Sequence, residues 1–377
     1  MSNLFKFQFI DPQRNQINQD QANQDQANQE AKRQVEICNA CRYCEGYCAV
    51  FPAAFSQRSF EAADLTQLAN LCHNCRGCYY ACQYSPPHEF ELNLPKALAE
   101  VRTESWQAFA FPRILGRVFH AKGLAVGGVM ILAFALFFSA FTWLGSLGNG
   151  AGFYAVMGHT LLVALFTPAF VLPLAALSIS LARYWQHVGG TWIRPGHMIS
   201  ALKAAATMRN LGGGQNQGCN FEDEDRYSTA RRWAHHLTFY GFMLCFASTS
   251  SGTVLHYGFD WHAPYPWWSL PKVFGVPGGL ILCAGTAWMV TLKIRADKHL
   301  GDARMWNGDM GFIALLFLVS LTGLLLYWFG STALLRPFLA IHLGAVFTLF
   351  ILTPYSKMAH GFYRLAALVR DAQRQDA

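Results

Sequence analysis

Eight of the eleven cysteines fall before residue 83, in two runs of the same spacing, C-x2-C-x2-C-x3-C: Cys38, Cys41, Cys44, Cys48 and Cys72, Cys75, Cys78, Cys82. Three thiolates at that spacing wrap one face of a cubic iron–sulfur cluster, and the fourth ligand must then come from farther along the chain. By analogy with two-cluster ferredoxins, the last cysteine of each run crosses over. One [4Fe-4S] cluster takes Cys38, Cys41, Cys44 and Cys82, and the other takes Cys72, Cys75, Cys78 and Cys48. The proline that usually follows the fourth cysteine is displaced here, to Pro52 and Pro86. Zinc also uses C-x2-C pairs, but two doubled runs crowd a tetrahedral ion. Cys219, Cys245 and Cys283 are scattered and read as small packing residues.

Histidines form the second set. His159, His235, His236, His256, His342 and His360 all fall in or beside strongly apolar segments, where an ionisable residue is costly and is a functional hypothesis by default. Imidazoles facing each other from two bundle helices can hold the iron of a b-type haem. On one continuous helix His342 and His360 would lie about 27 Å apart on the same side, so that one helix serves two stacked haems. The expected inner set is His235 or His236 with His360. The outer set is His256 with His342, with His159 in reserve. Helical angles favour His235 over His236 on a straight helix, and a bend at "STSSG" would leave both open.

The elements that must position these residues are membrane helices. The chain has 377 residues, 53% hydrophobic and 14% charged, and carries no Asp, Glu, Lys or Arg from Gly123 to Ala182. That stretch far exceeds the roughly 20 apolar residues of one crossing. Six spans are expected, at 123–146, 153–181, 234–256, 272–294, 309–329 and 335–357. Basic residues collect in the loops after the second and fourth spans, at Arg183, Arg194, Lys203, Arg209, Arg226, Arg231 and Arg232, and at Lys293, Arg295, Lys298 and Arg304. By the positive-inside rule those loops and both termini face the cytoplasm. The net charge of +7 is thus an orientation signal and not a nucleic-acid surface. No cleavable signal peptide is expected.

The fold class is all-α. A Gln- and Asn-rich tail at 1–34, with "QDQAN" repeated from Gln19, is expected to be disordered. A small helical two-cluster ferredoxin-like module follows at 35–105, with a short helix in "FEAADLTQLANL" between the two cysteine runs. Residues 106–122 form an interfacial connector and 123–360 the six-span haem domain. The cytoplasmic loop 183–233 holds an amphipathic helix in "HMISALKAAATMRNL", and 361–377 is a cytoplasmic tail. The outer "DWHAPYPWWS" reads as an aromatic belt. His262, Tyr265 and Trp267 there, or the inner loop 295–309, are the places to look for a quinone.

The stretches "CNACRYCEGYCAVFPA", "CHNCRGCYYACQYSPPHEF", "RRWAHHLTFYGFMLCFAST" and "HLGAVFTLFILTPYSKMAHGFYR" together resemble the tricarballylate-utilization protein B (TcuB/CitB-type) family. The last span is also similar to the final haem helix of the respiratory nitrate reductase gamma subunit, in positions that match His342 and His360. In that family the partner helix has two histidines about three turns apart, where this sequence has Cys245 and Phe246. The resemblance implies a bacterial inner-membrane carrier with two [4Fe-4S] clusters and haem b. Such a carrier reoxidises the flavin of a cytoplasmic tricarballylate dehydrogenase and reduces quinone. This chain has no nucleotide-binding G-x-G-x-x-G fingerprint opening a helix, so flavin and substrate oxidation belong to a partner. Rival readings are a membrane redox sensor using the same clusters without quinone reduction, and a zinc-stapled scaffold or transporter.

Overall fold

The computed structural model of the protein describes residues 12–143, 152–212, 219–220 and 227–376. The start of the Gln- and Asn-rich tail at 1–11, the turn after the first expected span at 144–151 and Arg226 lie outside the described residues. Among the described residues the architecture is all-α, with one two-residue ribbon pairing 219–220 with 227–228.

The cysteine module is built from α1 (Pro12–Cys41), α2 (Val50–Phe55), α3 (Ala62–Leu71), α4 (Gly77–Tyr80) and α5 (Leu94–Phe109). The Gln- and Asn-rich stretch expected to be disordered is helical from Pro12 onward. Its composition hides an apolar stripe: Ala27, Ala31 and Val35 recur every fourth residue and are buried, with α1 lying against α5. Helix α3 falls where the sequence places a short helix, and the backbone N–H of Glu61 donates to the Asp64 carboxylate at its start (3.2 Å). Helix α5 starts at Asn93, whose side chain accepts from the Lys96 N–H (3.2 Å).

The membrane part comprises α6 (Arg113–Trp143), α7 (His159–His187), α9 (Ala230–Phe259), α10 (Leu270–Arg295), α11 (Trp306–Phe329) and α12 (Leu335–Leu352). The α6 backbone leaves helical geometry at Lys122 (φ −132°), where the expected connector meets the first span. Five of the six helices are long and apolar enough to cross a bilayer. The exception is α9, at 30 residues long enough but diluted by histidines, serines and threonines.

Its two ends nevertheless lie level with the two ends of α7. At one end Arg231 Nη1 donates to the Asn74 carbonyl of the module (2.6 Å). At the other, His256 stacks on His159, the first residue of α7 (ring centres 4.0 Å). The Tyr184 hydroxyl near the opposite end of α7 reaches Gln67 of the module (2.8 Å). Helix α9 therefore runs as deep as α7, with one of its ends at the module.

Small residues set the helix packing. A Cβ on Gly285 of α10 would lie 2.6 Å from the Thr238 nitrogen of α9, and one on Gly311 of α11 would lie 2.6 Å from the Gly123 carbonyl carbon of α6. Backbones this close gain dispersion contacts where lipid offers no hydrophobic drive.

Two further helices lie on the module's side. Helix α8 (Pro195–Ala206) is the amphipathic helix expected in the 183–233 loop. Helix α13 (Ala359–Gln375) replaces the expected tail, burying Tyr363, Ala367, Leu368 and Val369. Gln67 donates to the Ala367 carbonyl (2.7 Å), and Arg374 pairs with Asp64 (2.8 Å). The chain turns between α12 and α13, so His342 and His360 are not on one continuous helix. Pro354 lies in that turn, where its ring supplies no backbone N–H to continue the helix.

Candidate redox centres

The eight thiols fold into two adjacent groups. Cys38 and Cys41 end α1, Cys44 and Cys48 follow in the next turn, Cys72 leaves α3, and Cys78 lies in α4. Cys38, Cys41, Cys44 and Cys82 line one cavity of about 250 Å³ together with Tyr43 and Tyr84. Cys48, Cys72, Cys75 and Cys78 line a second, much smaller space of about 20 Å³, with Cys78 on the wall between the two. The first lies open beside Tyr43, which is 68% exposed, and the second would have to widen on loading. The grouping coincides with the crossover expected from the spacing. Left-handed backbone at Arg42, Asn74 and Arg76 (φ 57°, 50° and 68°) turns the loops around the thiols. The backbone N–H groups of Asn74 and Tyr84 point at the sulfurs of Cys72 and Cys82 (both 3.4 Å).

Burial, and then the neighbouring thiolates, pushes Cys38 and Cys44 up to about 12. Burial likewise raises Cys48 and Cys78 well above the ordinary thiol value. Four thiolates cannot share such a space unless a cation centre offsets their charge, which is what bound iron supplies. Among the described residues no three His, Cys, Asp or Glu side chains converge on a single metal ion.

Beyond the second group the histidines begin. The ring centres of His235 on α9 and His360 on α13 lie 6.0 Å apart, with the two ring planes inclined at 71°. An iron bound by two imidazoles at about 2 Å from each nitrogen would separate the ring centres by about 6 Å. The His360 Nδ1–H donates to the Lys357 carbonyl, which leaves Nε2 as its free ligand atom. Burial, then the Arg364 charge, holds His360 well below the ordinary imidazole value, in the neutral form that binds metal. His236 turns away and stacks on Tyr240 (5.8 Å). Of the two residues left open by the sequence, the structure brings His235 to His360.

The outer residues are arranged differently. His256 stacks on His159 and meets His262 edge to face (4.2 Å), whereas His342 bonds the Thr322 hydroxyl of α11 (2.9 Å). The structure therefore gathers His159, His256 and His262 and leaves His342 on another helix pair. Tyr265 bonds the Gly252 carbonyl (3.1 Å), and Trp267 is exposed as an interfacial ring would be.

Comparison with known proteins matches both parts of the chain. Residues 31–108 match the family model "Citrate utilization protein B Fer4-like domain", and residues 113–377 match "Citrate utilization protein B". Citrate utilization protein B of Escherichia coli is 44% identical over 343 residues, covering 90% of each chain. The chain belongs to the citrate utilization protein B family. No solved structure matches it. With the Fer4-like module and the apolar helices, this member of the family is a membrane protein with an iron–sulfur electron-transfer role.

Sequence reasoning missed the residues between the second thiol group and the histidine pair. His73 sits inside the second cysteine run and bonds the Leu71 carbonyl (2.9 Å). Arg231 lies four residues before His235, and Arg364 four residues after His360. Those one-turn offsets were the available signal, because they place each guanidinium on the same helix face as its histidine.

Proposed function

We propose that this protein carries electrons from the reduced flavin of a cytoplasmic dehydrogenase to membrane quinone, through two [4Fe-4S] clusters and haem b. The observation that carries the reading is the serial layout. A wider thiol group beside exposed Tyr43 abuts a narrower one, and the narrower one is joined through the Cys72 carbonyl to Arg364 (2.6 Å), one turn from His360.

Cys38, Cys41, Cys44 and Cys82 would hold the entry cluster, and Cys48, Cys72, Cys75 and Cys78 the second. When bound, the clusters and haem b supply one-electron storage. The chain's own residues would set what surrounds it: thiolates and N–H donors would hold the clusters, and His235 and His360 would hold the haem iron. The Lys357 carbonyl fixes the His360 tautomer. The donor is a tricarballylate dehydrogenase or an enzyme of similar tricarboxylate chemistry, in keeping with the name of the Escherichia coli relative.

Basic residues on the module's side, among them Arg231, Arg304 and Lys293, support a cytoplasmic module in a bacterial inner membrane. The test is turnover: purified protein loaded with iron, sulfide and haem should reduce a quinone analogue at the expense of a reduced flavoprotein. His360→Ala should lose the haem band of the reduced spectrum and that turnover. Failure of the loaded protein to pass any electrons to quinone overturns the proposal.

A further inference from the structure

The turn that carries Cys72 is clamped by three guanidinium groups. Arg102 of α5 donates through Nη1 to the carbonyls of Ala69 (3.0 Å) and Cys72 (2.6 Å). Arg364 of α13 donates to the carbonyls of Asn70 (3.4 Å) and Cys72 (2.6 Å). Arg231 of α9 donates to the Asn74 carbonyl two residues on (2.6 Å). A fourth arginine, Arg76, is buried and lines the second thiol cavity itself.

Carbonyl oxygens satisfy the donors but bring no charge. Arg102 is 8% exposed, and among the described residues no carboxylate pairs with it or with Arg364. The module's buried Glu104 is taken by Arg304 (2.5 Å), and Asp64 by Arg374. Burying a guanidinium without a counter-charge costs several kcal/mol, so the clamp needs an anion. The neighbouring anionic set is the Cys48, Cys72, Cys75 and Cys78 group, whose Cys72 carbonyl both Arg102 and Arg364 reach.

We infer that Arg364 and Arg102 are positioning residues that raise the reduction potential of the second cluster above that of the first. An iron–sulfur cluster on four thiolates is anionic and becomes more so when it accepts one electron from a donor. Fixed buried cations therefore favour its reduced form, and net charge and hydrogen bonding are the levers that set such potentials. The first thiol group, open to solvent and lined by Tyr43 and Tyr84, has no arginine among its lining residues. The difference makes transfer from the first cluster to the second downhill and draws electrons toward His235 and His360. The inference rests on the two-cluster reading of the thiol groups.

It is tested by redox titration of the full-length, cluster-loaded protein followed by electron paramagnetic resonance. The second cluster's signal is assigned by its loss in Cys75→Ser. Arg364→Gln should move the second cluster's midpoint potential downward and leave the first in place, while Arg364→Lys, which keeps the charge, should restore most of the shift. If Arg364→Gln does not retain the second cluster, Arg102→Gln serves as the charge deletion with the same expectation. An unmoved second potential, an equal shift of both clusters, or a Lys variant that behaves like Gln overturns the inference. Loaded wild-type protein with no cluster signal at all would instead overturn the cluster reading on which it rests.

Discussion

Cys82 belongs to the second cysteine run by sequence and to the first thiol group in space. Cys82→Ser should therefore damage the entry cluster and spare the one coordinated by its own run, leaving about half of the iron. Iron and sulfide analysis of Cys82→Ser beside Cys48→Ser checks this, and loss of the second cluster's signal in Cys82→Ser would contradict the crossover. Acidity acts on the same residues. Cys38 is raised from 9.0 to about 12 in the cluster-free fold, so protons compete with iron throughout the physiological range. Loading should release protons and weaken as pH falls, as a pH-indicator assay during reconstitution would show. For the cluster-free protein the sign is opposite. A raised thiol value favours the protonated fold, so its stability should decline as pH climbs from 9.0 toward about 12. The thiol grouping was readable from spacing alone because ligand geometry is local. The arginine clamp was not, because it joins residues nearly 300 positions apart.

At the scale of elements, the helix pair α9 and α10 depends on close backbones. Gly285→Leu should cost at least about 1–3 kcal/mol by overpacking against Thr238. Thermal unfolding in detergent should show the loss, and an unchanged midpoint would mean that the pair does not pack this way. Most spans were legible from hydropathy, and α8 from its amphipathic pattern. Two elements were not. Helix α1 looked disordered because its Gln and Asn content masks the stripe of Ala27, Ala31 and Val35, which becomes stabilising only against α5. The expected single helix bearing His342 and His360 overlooked Pro354, and the turn there swings His360 onto an interfacial helix. The relation between those two histidines could not come from helical arithmetic once the axis had changed.

For the molecule as a whole, the cysteine module and α13 lie on one face, where they touch through Gln67, Ala367, Asp64 and Arg374. Single cysteines introduced at exposed Trp192 and at Gln375, with a membrane-impermeant thiol reagent, should label from the same side of sealed vesicles. Trp267→Cys should label from the other side, and labelling of all three from one side would refute the crossing of α9. The unequal enclosure of the two thiol groups also has a consequence for survival in air. Oxidants and chelators reach a cluster through solvent, and the first site is the roomier, with exposed Tyr43 on its wall, whereas the second is small and holds the buried Cys72. Aerated protein should decay from the outside inward, losing the first cluster's signal before the second. Damage would then disconnect the flavoprotein while leaving the membrane end intact, and refilling one accessible site would restore the carrier.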